Sequence, residues 1–176
     1  KDGIVQNSST QETRDFKQLA TSTSSVTPRV NGTAVAVNTL PPGVQSAEEA
    51  SKNGQPVRVT IFQDYKCVHC AEFEKKYGEE IQKLVEDGTI TLEIRNLTFL
   101  DRTSPTAYSA RNAAAAYSVA NQVSTSDFLN YQREIFTHQG NGDMNNQQIA
   151  DIASKYHASI GSDMNDGKWR PFVDVV

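Results

Sequence analysis

The sequence predicts an α/β fold, on three observations. A strand-like run, VRVTIF at 57–62, leads directly into a helical pattern, and a second strand-like run, TITLEIRNL at 89–97, follows it. Strand, helix and strand of this length make a βαβ unit. Both cysteines of the chain, Cys67 and Cys70, lie where the first strand gives way to the helix.

Each element has a local reason. Val57, Val59 and Ile61 share one face of the first strand, and Ile90, Leu92 and Ile94 alternate with Thr91, Glu93 and Arg95 in the second. Between them Cys70, Phe73, Tyr77, Ile81 and Leu84 fall at helical spacing and form an apolar stripe. Glu72, Lys75, Lys76, Glu79 and Lys83 form the charged face opposite, and Gly88 ends the helix with a left-handed cap. TAVAV at 33–37 alternates as a short strand. LPPGVQSAEEASKNGQP at 40–56 is a connection with one helical turn near 47–51. From 103 to 172 the pattern is helical, and Ser104 before Pro105 is the expected cap of its first helix. Further helices are expected over 106–122, around Phe128 to Phe136, around Ile149 to Tyr156, and from 162 towards 173 with breaks at Gly167 and Pro171. Trp169, Phe128 and Phe136 are expected in the core.

Composition narrows the function classes. The chain has 176 residues and a net charge of −4, and its pI is about 5.4. A length of this order supports a hydrophobic core without disulfide staples. The acidic balance offers no basic surface for phosphate contacts, which argues against a nucleic-acid partner. No run of 18 apolar residues crosses a membrane. Residues 1–29 are rich in Ser, Thr, Gln and Asn without an apolar period. They are expected to form a flexible polar tail that suits tethering near a membrane surface and also suits the loose terminus of any soluble protein.

The sequence KCVHC permits three chemistries. A zinc site needs about four ligands, and neither a second cysteine pair nor suitably spaced histidines at His138 and His157 supply them. A static disulfide is possible, although so short a loop removes little chain entropy. A redox couple fits best, because CxxC between a strand and its helix places Cys67 at the helix N-terminus, where free N–H groups and the macrodipole favour a thiolate. His69 adds a charge or a hydrogen bond between the thiols. Cys70 belongs to the apolar stripe, so Cys67 is the attacking sulfur and Cys70 the resolving one. Asp64 is either a proton-transfer group or a surface or capping carboxylate at the turn. The sequons at Asn31 and Asn96 carry little weight.

The stretch TIFQDYKCVHCAEFEKKYG resembles the active-site segment of the DsbA-like thiol–disulfide oxidoreductases of the thioredoxin superfamily. That family pattern is an aromatic-rich strand end, C-P-H-C, then a helix carrying F-E. Phe62, Tyr65, Cys67, His69, Cys70, Phe73 and Glu74 stand in matching places. The resemblance continues through ITLEIRNLTFLDRTS and DGKWRPFV, covers residues 57–173, and is strongest to extracytoplasmic members from Gram-positive, especially actinobacterial, bacteria.

The resemblance implies a thioredoxin-like fold with an inserted helical domain. Residues 1–29 would be the polar tail, 30–102 the thioredoxin-like portion and 103–176 the insert. Two departures stand out. Val68 replaces the proline between the cysteines, and the Thr/Val-Pro dipeptide that opens a later strand does not occur after the helical stretch. The C-terminal strands of the fold are therefore expected to be missing from this chain. The implied activity is an extracytoplasmic dithiol oxidase using Cys67, Cys70 and His69, without cofactor or metal. Its substrates would be cysteine-containing secreted proteins, and a membrane quinone-linked partner would reoxidise it. The alternatives are a reductase or isomerase of the same fold, or a non-catalytic binding module with a static CVHC disulfide.

Overall fold

The computed structural model describes residues 4–6 and 47–173. The strand expected at 33–37 lies outside the described residues. So does the connection up to residue 46, and its expected helical turn is α1 (Ala47–Lys52). Three strands, β1 (Ile4–Gln6), β2 (Val57–Gln63) and β3 (Ile90–Asn96), form a parallel sheet in the order β1-β3-β2. The register runs from Val57 opposite Ile90 to Gln63 opposite Asn96, and Ile4 sits opposite Leu92. β1 falls within the segment expected as a polar tail. A three-residue strand is too short to show a period, and its pairing with β3 is a long-range main-chain event that local pattern does not encode. The rest of that segment is not described.

Parallel neighbours need a crossover, and α2 (Val68–Glu86) provides it between β2 and β3. Its C-cap is Asp87, and Gly88 follows with φ of 80°, the left-handed conformation expected there. Ile81, Leu84 and Val85 pack on the core, but Phe73 and Tyr77 are 41% and 39% exposed. The apolar stripe is thus only partly covered among the described residues. Phe73 and Tyr77 instead pack on each other, with ring centroids 5.1 Å apart.

The polar face expected on β3 is not a solvent face. Glu93 and Arg95 are 3% and 2% exposed, because β3 is the central strand and parallel sheets bury both faces. Arg95 Nη2 lies 3.1 Å from Glu93 Oε1, Arg58 pairs with the same carboxylate, and Thr60 Oγ1 donates to it at 3.3 Å. Without these partners a buried carboxylate would cost several kcal/mol. Asn96 is also buried and accepts from Gln63 Nε2 at 3.0 Å, so its sequon is closed to a glycan.

After β3 come a 3₁₀ turn (Phe99–Thr103) and helices α3 (Tyr108–Gln122), α4 (Thr125–Thr137), α5 (Asn146–Lys155), α6 (Gly161–Asp166) and α7 (Arg170–Val173). The alanines of α3 let neighbouring helices approach closely, and Ala113, Ala115 and Ala116 are fully buried. Phe128, Phe136 and Trp169 are core residues, as expected. Gly167 breaks α6 from α7 with φ of 66°. Pro171 does not break the chain, because it sits in the first turn of α7, where no N–H is required.

Ser104 is not the cap of α3. It ends the 3₁₀ turn, and α3 starts four residues later behind Ala107, whose φ is 52°. The Ser104 hydroxyl still serves the helix, accepting from Tyr108 N at 3.1 Å, while it donates to Asp143 at 2.6 Å. A serine before a proline resembles a cap in sequence, but here a remote carboxylate claims its proton.

Candidate active site

The turn between β2 and α2 is built by backbone hydrogen bonds around Asp64. Cys67 N donates to Asp64 O at 2.9 Å, and Ala71 N donates to Cys67 O at 3.1 Å to begin the helix. Cys67 has extended backbone (φ −79°, ψ 120°) and is the N-cap of α2. Its Sγ accepts the Cys70 N–H at 3.4 Å. The first turn of α2 carries no acidic residue, so no side-chain carboxylate there offsets the positive end of the helix.

Both cysteines are free thiols and half-buried. They are not equivalent. Cys70 packs against the main core. Burial pushes its thiol up to about 11 from an ordinary value near 9, a hydrogen bond from the Asp64 backbone pulls the other way, and the neighbouring Cys67 raises it further.

His69 lies beside the thiols but turns away from them. Its side chain is 86% exposed, and Nδ1 stands 3.2 Å from Glu72 Oε2. Asp64 is not a surface group but a carboxylate that caps the turn. It is fully buried, Oδ1 accepts from Lys66 N at 2.9 Å and from Ser109 Oγ at 2.6 Å, and Oδ2 accepts from Leu100 N at 3.1 Å. With its oxygens engaged by these donors it serves as an anchor that ties the turn to the 3₁₀ segment and α3.

Sequence reasoning missed a second group of residues that fix this turn. Tyr65 stacks on Phe136 at 5.0 Å and donates to Gln132 Oε1 at 2.9 Å. Gln63 Nε2 donates to the same oxygen at 2.9 Å. Lys66 Nζ pairs with Asp143 Oδ1 at 2.6 Å, and Gln139 Nε2 donates to Lys66 O at 3.3 Å. These contacts span 67 to 77 positions of sequence. The signal in the sequence was the polar character of Gln132 on an otherwise apolar helical face.

A cavity of about 450 Å³ opens between α2 and α4, lined by Val68, Ala71, Glu74, Arg133, Phe136 and Gln139. Val68, the residue after Cys67, is part of its lining. Burial pushes the Glu74 carboxyl up, and the nearby Arg133, with Nε 3.7 Å from Oε1, partly offsets it. Gly78 makes room for this carboxylate, since a Cβ there would lie 2.6 Å from Glu74 Oε1. Among the described residues no group of three or more His, Cys, Asp or Glu side chains is arranged to hold a metal ion.

Several solved structures are similar to this chain in fold. The crystal structure of reduced DsbA from Mycobacterium tuberculosis is similar, with a TM-score of 0.60 and 28% identity, over 66% of this chain and 63% of that one. MdbA from Corynebacterium matruchotii, a thiol–disulfide oxidoreductase, aligns with a TM-score of 0.59 and 28% identity, over 66% of this chain and 60% of that one. MdbA from Corynebacterium diphtheriae, also a thiol–disulfide oxidoreductase, gives 0.55 and 27%, over 67% and 64%. The chain therefore spans somewhat under two thirds of the length of these relatives. No curated protein sequence matches. The fold is thioredoxin-like, mostly helical with a small sheet, and the thioredoxin family model matches residues 52–175. The chain belongs to the thioredoxin family.

Proposed function

We propose that this protein is an extracytoplasmic thiol–disulfide oxidoreductase that works as a dithiol oxidase on cysteine-containing secreted proteins. The observation that carries the reading is the hydrogen bond from Cys70 N to Cys67 Sγ at the start of α2. It stabilises negative charge on one sulfur of the pair and leaves the other against the core.

The reaction starts from the Cys67–Cys70 disulfide. A substrate thiolate attacks Cys67 Sγ, the Cys67–Cys70 bond breaks, and Cys70 leaves with the electron pair and takes up a proton. Burial that raises the Cys70 thiol favours that protonation. A second substrate thiolate then attacks the substrate sulfur of the mixed disulfide and releases Cys67 as a thiolate. The substrate loses two electrons and gains a disulfide, and the enzyme is left as the dithiol. The N-cap position makes Cys67 the better leaving group in this last step, which drives the reaction towards substrate oxidation. His69 extends the positive end of the helix when protonated. A membrane quinone-linked partner takes the two electrons from the dithiol and restores the disulfide. The cavity beside Val68 offers apolar contact for the chain flanking the substrate cysteine.

The test is a trap. In a Cys70→Ser variant the Cys67 thiolate attacks the disulfides of secreted proteins, displaces one substrate thiolate and, with no resolving partner, accumulates mixed disulfides seen as reducible high-mass species. Their absence, together with resistance of the wild-type disulfide to mild dithiols, would overturn the reading in favour of a static bridge. Oxidation of a reduced client by the purified disulfide form separates the oxidase from a reductase of the same fold.

A further inference from the structure

Lys66 immediately precedes the N-cap sulfur, yet its charge is already taken. Its Nζ lies 2.6 Å from Asp143 Oδ1 and 5.7 Å from the Tyr108 ring centroid. Asp143 belongs to the loop between α4 and α5, 77 residues further on. Its Oδ2 accepts from Ser104 Oγ at 2.6 Å and from Thr106 Oγ1 at 2.7 Å, so the carboxylate is held from three sides. Burial pushes this carboxyl up, but the hydrogen bonds from Lys66, Ser104 and Thr106, with the Lys66 charge, outweigh it and bring the group to about 2. It is therefore a full anion across the physiological range. Other charges near the turn are engaged elsewhere. Asp64 takes Lys66 N, Ser109 and Leu100, His69 faces Glu72, Glu74 faces Arg133, and Arg111 lies over the other part of the Tyr108 surroundings, bonded to Thr106 and Asn146.

We propose that Asp143 is a positioning residue that sets the redox poise of the Cys67–Cys70 couple by holding and neutralising the ammonium of Lys66, the residue that precedes the N-cap cysteine. This rests on the dithiol reading above. An uncompensated cation next to a cysteine favours its thiolate and therefore the reduced form, and an uncompensated anion does the reverse. With Lys66 and Asp143 locked together the two effects cancel, and the main-chain N–H of Cys70 is left to set the charge on the sulfur. Removing either member alone uncovers the other, so the two single variants must move the couple in opposite directions.

The experiment equilibrates the full chain with glutathione buffers, in which two glutathione thiols give two electrons and two protons to the Cys67–Cys70 disulfide and become one glutathione disulfide. Asp143→Asn is expected to make the disulfide about threefold easier to reduce, on the order of 14 mV at about 30 mV per tenfold. Lys66→Met is expected to make it about threefold harder. The double variant is expected to return to the wild-type equilibrium. A pair that merely braces the loop would shift both single variants the same way or leave both unchanged, and either result overturns the proposal. Should Asp143→Asn fail to fold, the sign of the Lys66→Met shift decides by itself. The readout needs no protein substrate, so the oxidase reading can fail in the trapping experiment while this equilibrium still stands.

Discussion

Three helices of this protein begin in the same way and do different work. At α4, Ser124 Oγ accepts Asp127 N at 3.2 Å, and at α5, Asn145 Oδ1 accepts Gln148 N at 2.8 Å while Gln148 Oε1 accepts Asn145 N at 2.9 Å. At α2, Cys67 Sγ accepts Cys70 N at 3.4 Å. In each, a cap side chain receives the amide three residues on. The CxxC spacing is therefore the spacing of a helix cap, and the second cysteine supplies the donor that serves the first. The opening turn of α4 carries the Asp127 carboxylate, and that of α5 the Gln148 amide that accepts Asn145 N. The sulfur cap has no acidic neighbour there, and the helix end stays available to a negative charge on sulfur.

This comparison can be broken most sharply by exchanging the cap atom. Cys67→Ser is expected to abolish thiol exchange, since the sulfur that the substrate attacks is removed and no Cys67–Cys70 disulfide can form. Its melting temperature should hold or rise, because a serine oxygen is a preferred cap atom. A large fall in stability would mean that Cys67 matters for packing rather than for chemistry. The converse exchange, Asn145→Ala at α5, is expected to cost about 1 kcal/mol in denaturant unfolding. It should leave the glutathione equilibrium of the cysteines untouched.

Two smaller effects sharpen the contrast. His69→Glu gives α2 the acidic opening turn that α4 already has. It is expected to destabilise the reduced form and make the disulfide about two to five times harder to reduce, the size of a helix-end charge effect. The buried Cys70 predicts an alkaline effect on the reduced protein. Its folded value near 11 lies above the ordinary value of 9.0, so its contribution to stability is complete below about pH 9. That contribution is lost as pH rises towards 11, because the unfolded chain releases the proton first. The slope of unfolding free energy against pH over that window should shrink in Cys70→Ala, and an unchanged slope would place Cys70 in a wetter setting than its contacts show.

Much of the cysteine turn was legible because its logic is local. Strand, cysteine, helix start and Gly88 follow one another within 32 residues of sequence, and each element is placed by its own pattern. What escaped was carried by contacts across long separations. β1 is defined by its partner, since Ile4 to Gln6 have no period of their own. Glu93 and Arg95 look like a solvent face until β3 is known to be central. Asp64 can be read as a surface carboxylate until Ser109 is brought to it, and the partner of Lys66, Asp143, lies 77 positions away. The apolar stripe of α2 over-predicted burial at Phe73 and Tyr77, because periodicity marks which side of a helix is apolar and not what covers it.

The Asp64 anchor bears on the order in which the cysteine turn is assembled. A ribosome-borne chain that has emerged only as far as residue 97 already holds both thiols, but Leu100 and Ser109, which grip that carboxylate, have yet to appear. The sulfurs are thus synthesised well before the scaffold that shapes their turn. A half-made molecule therefore carries its sulfur cap before the carboxylate that anchors the turn has its remote donors.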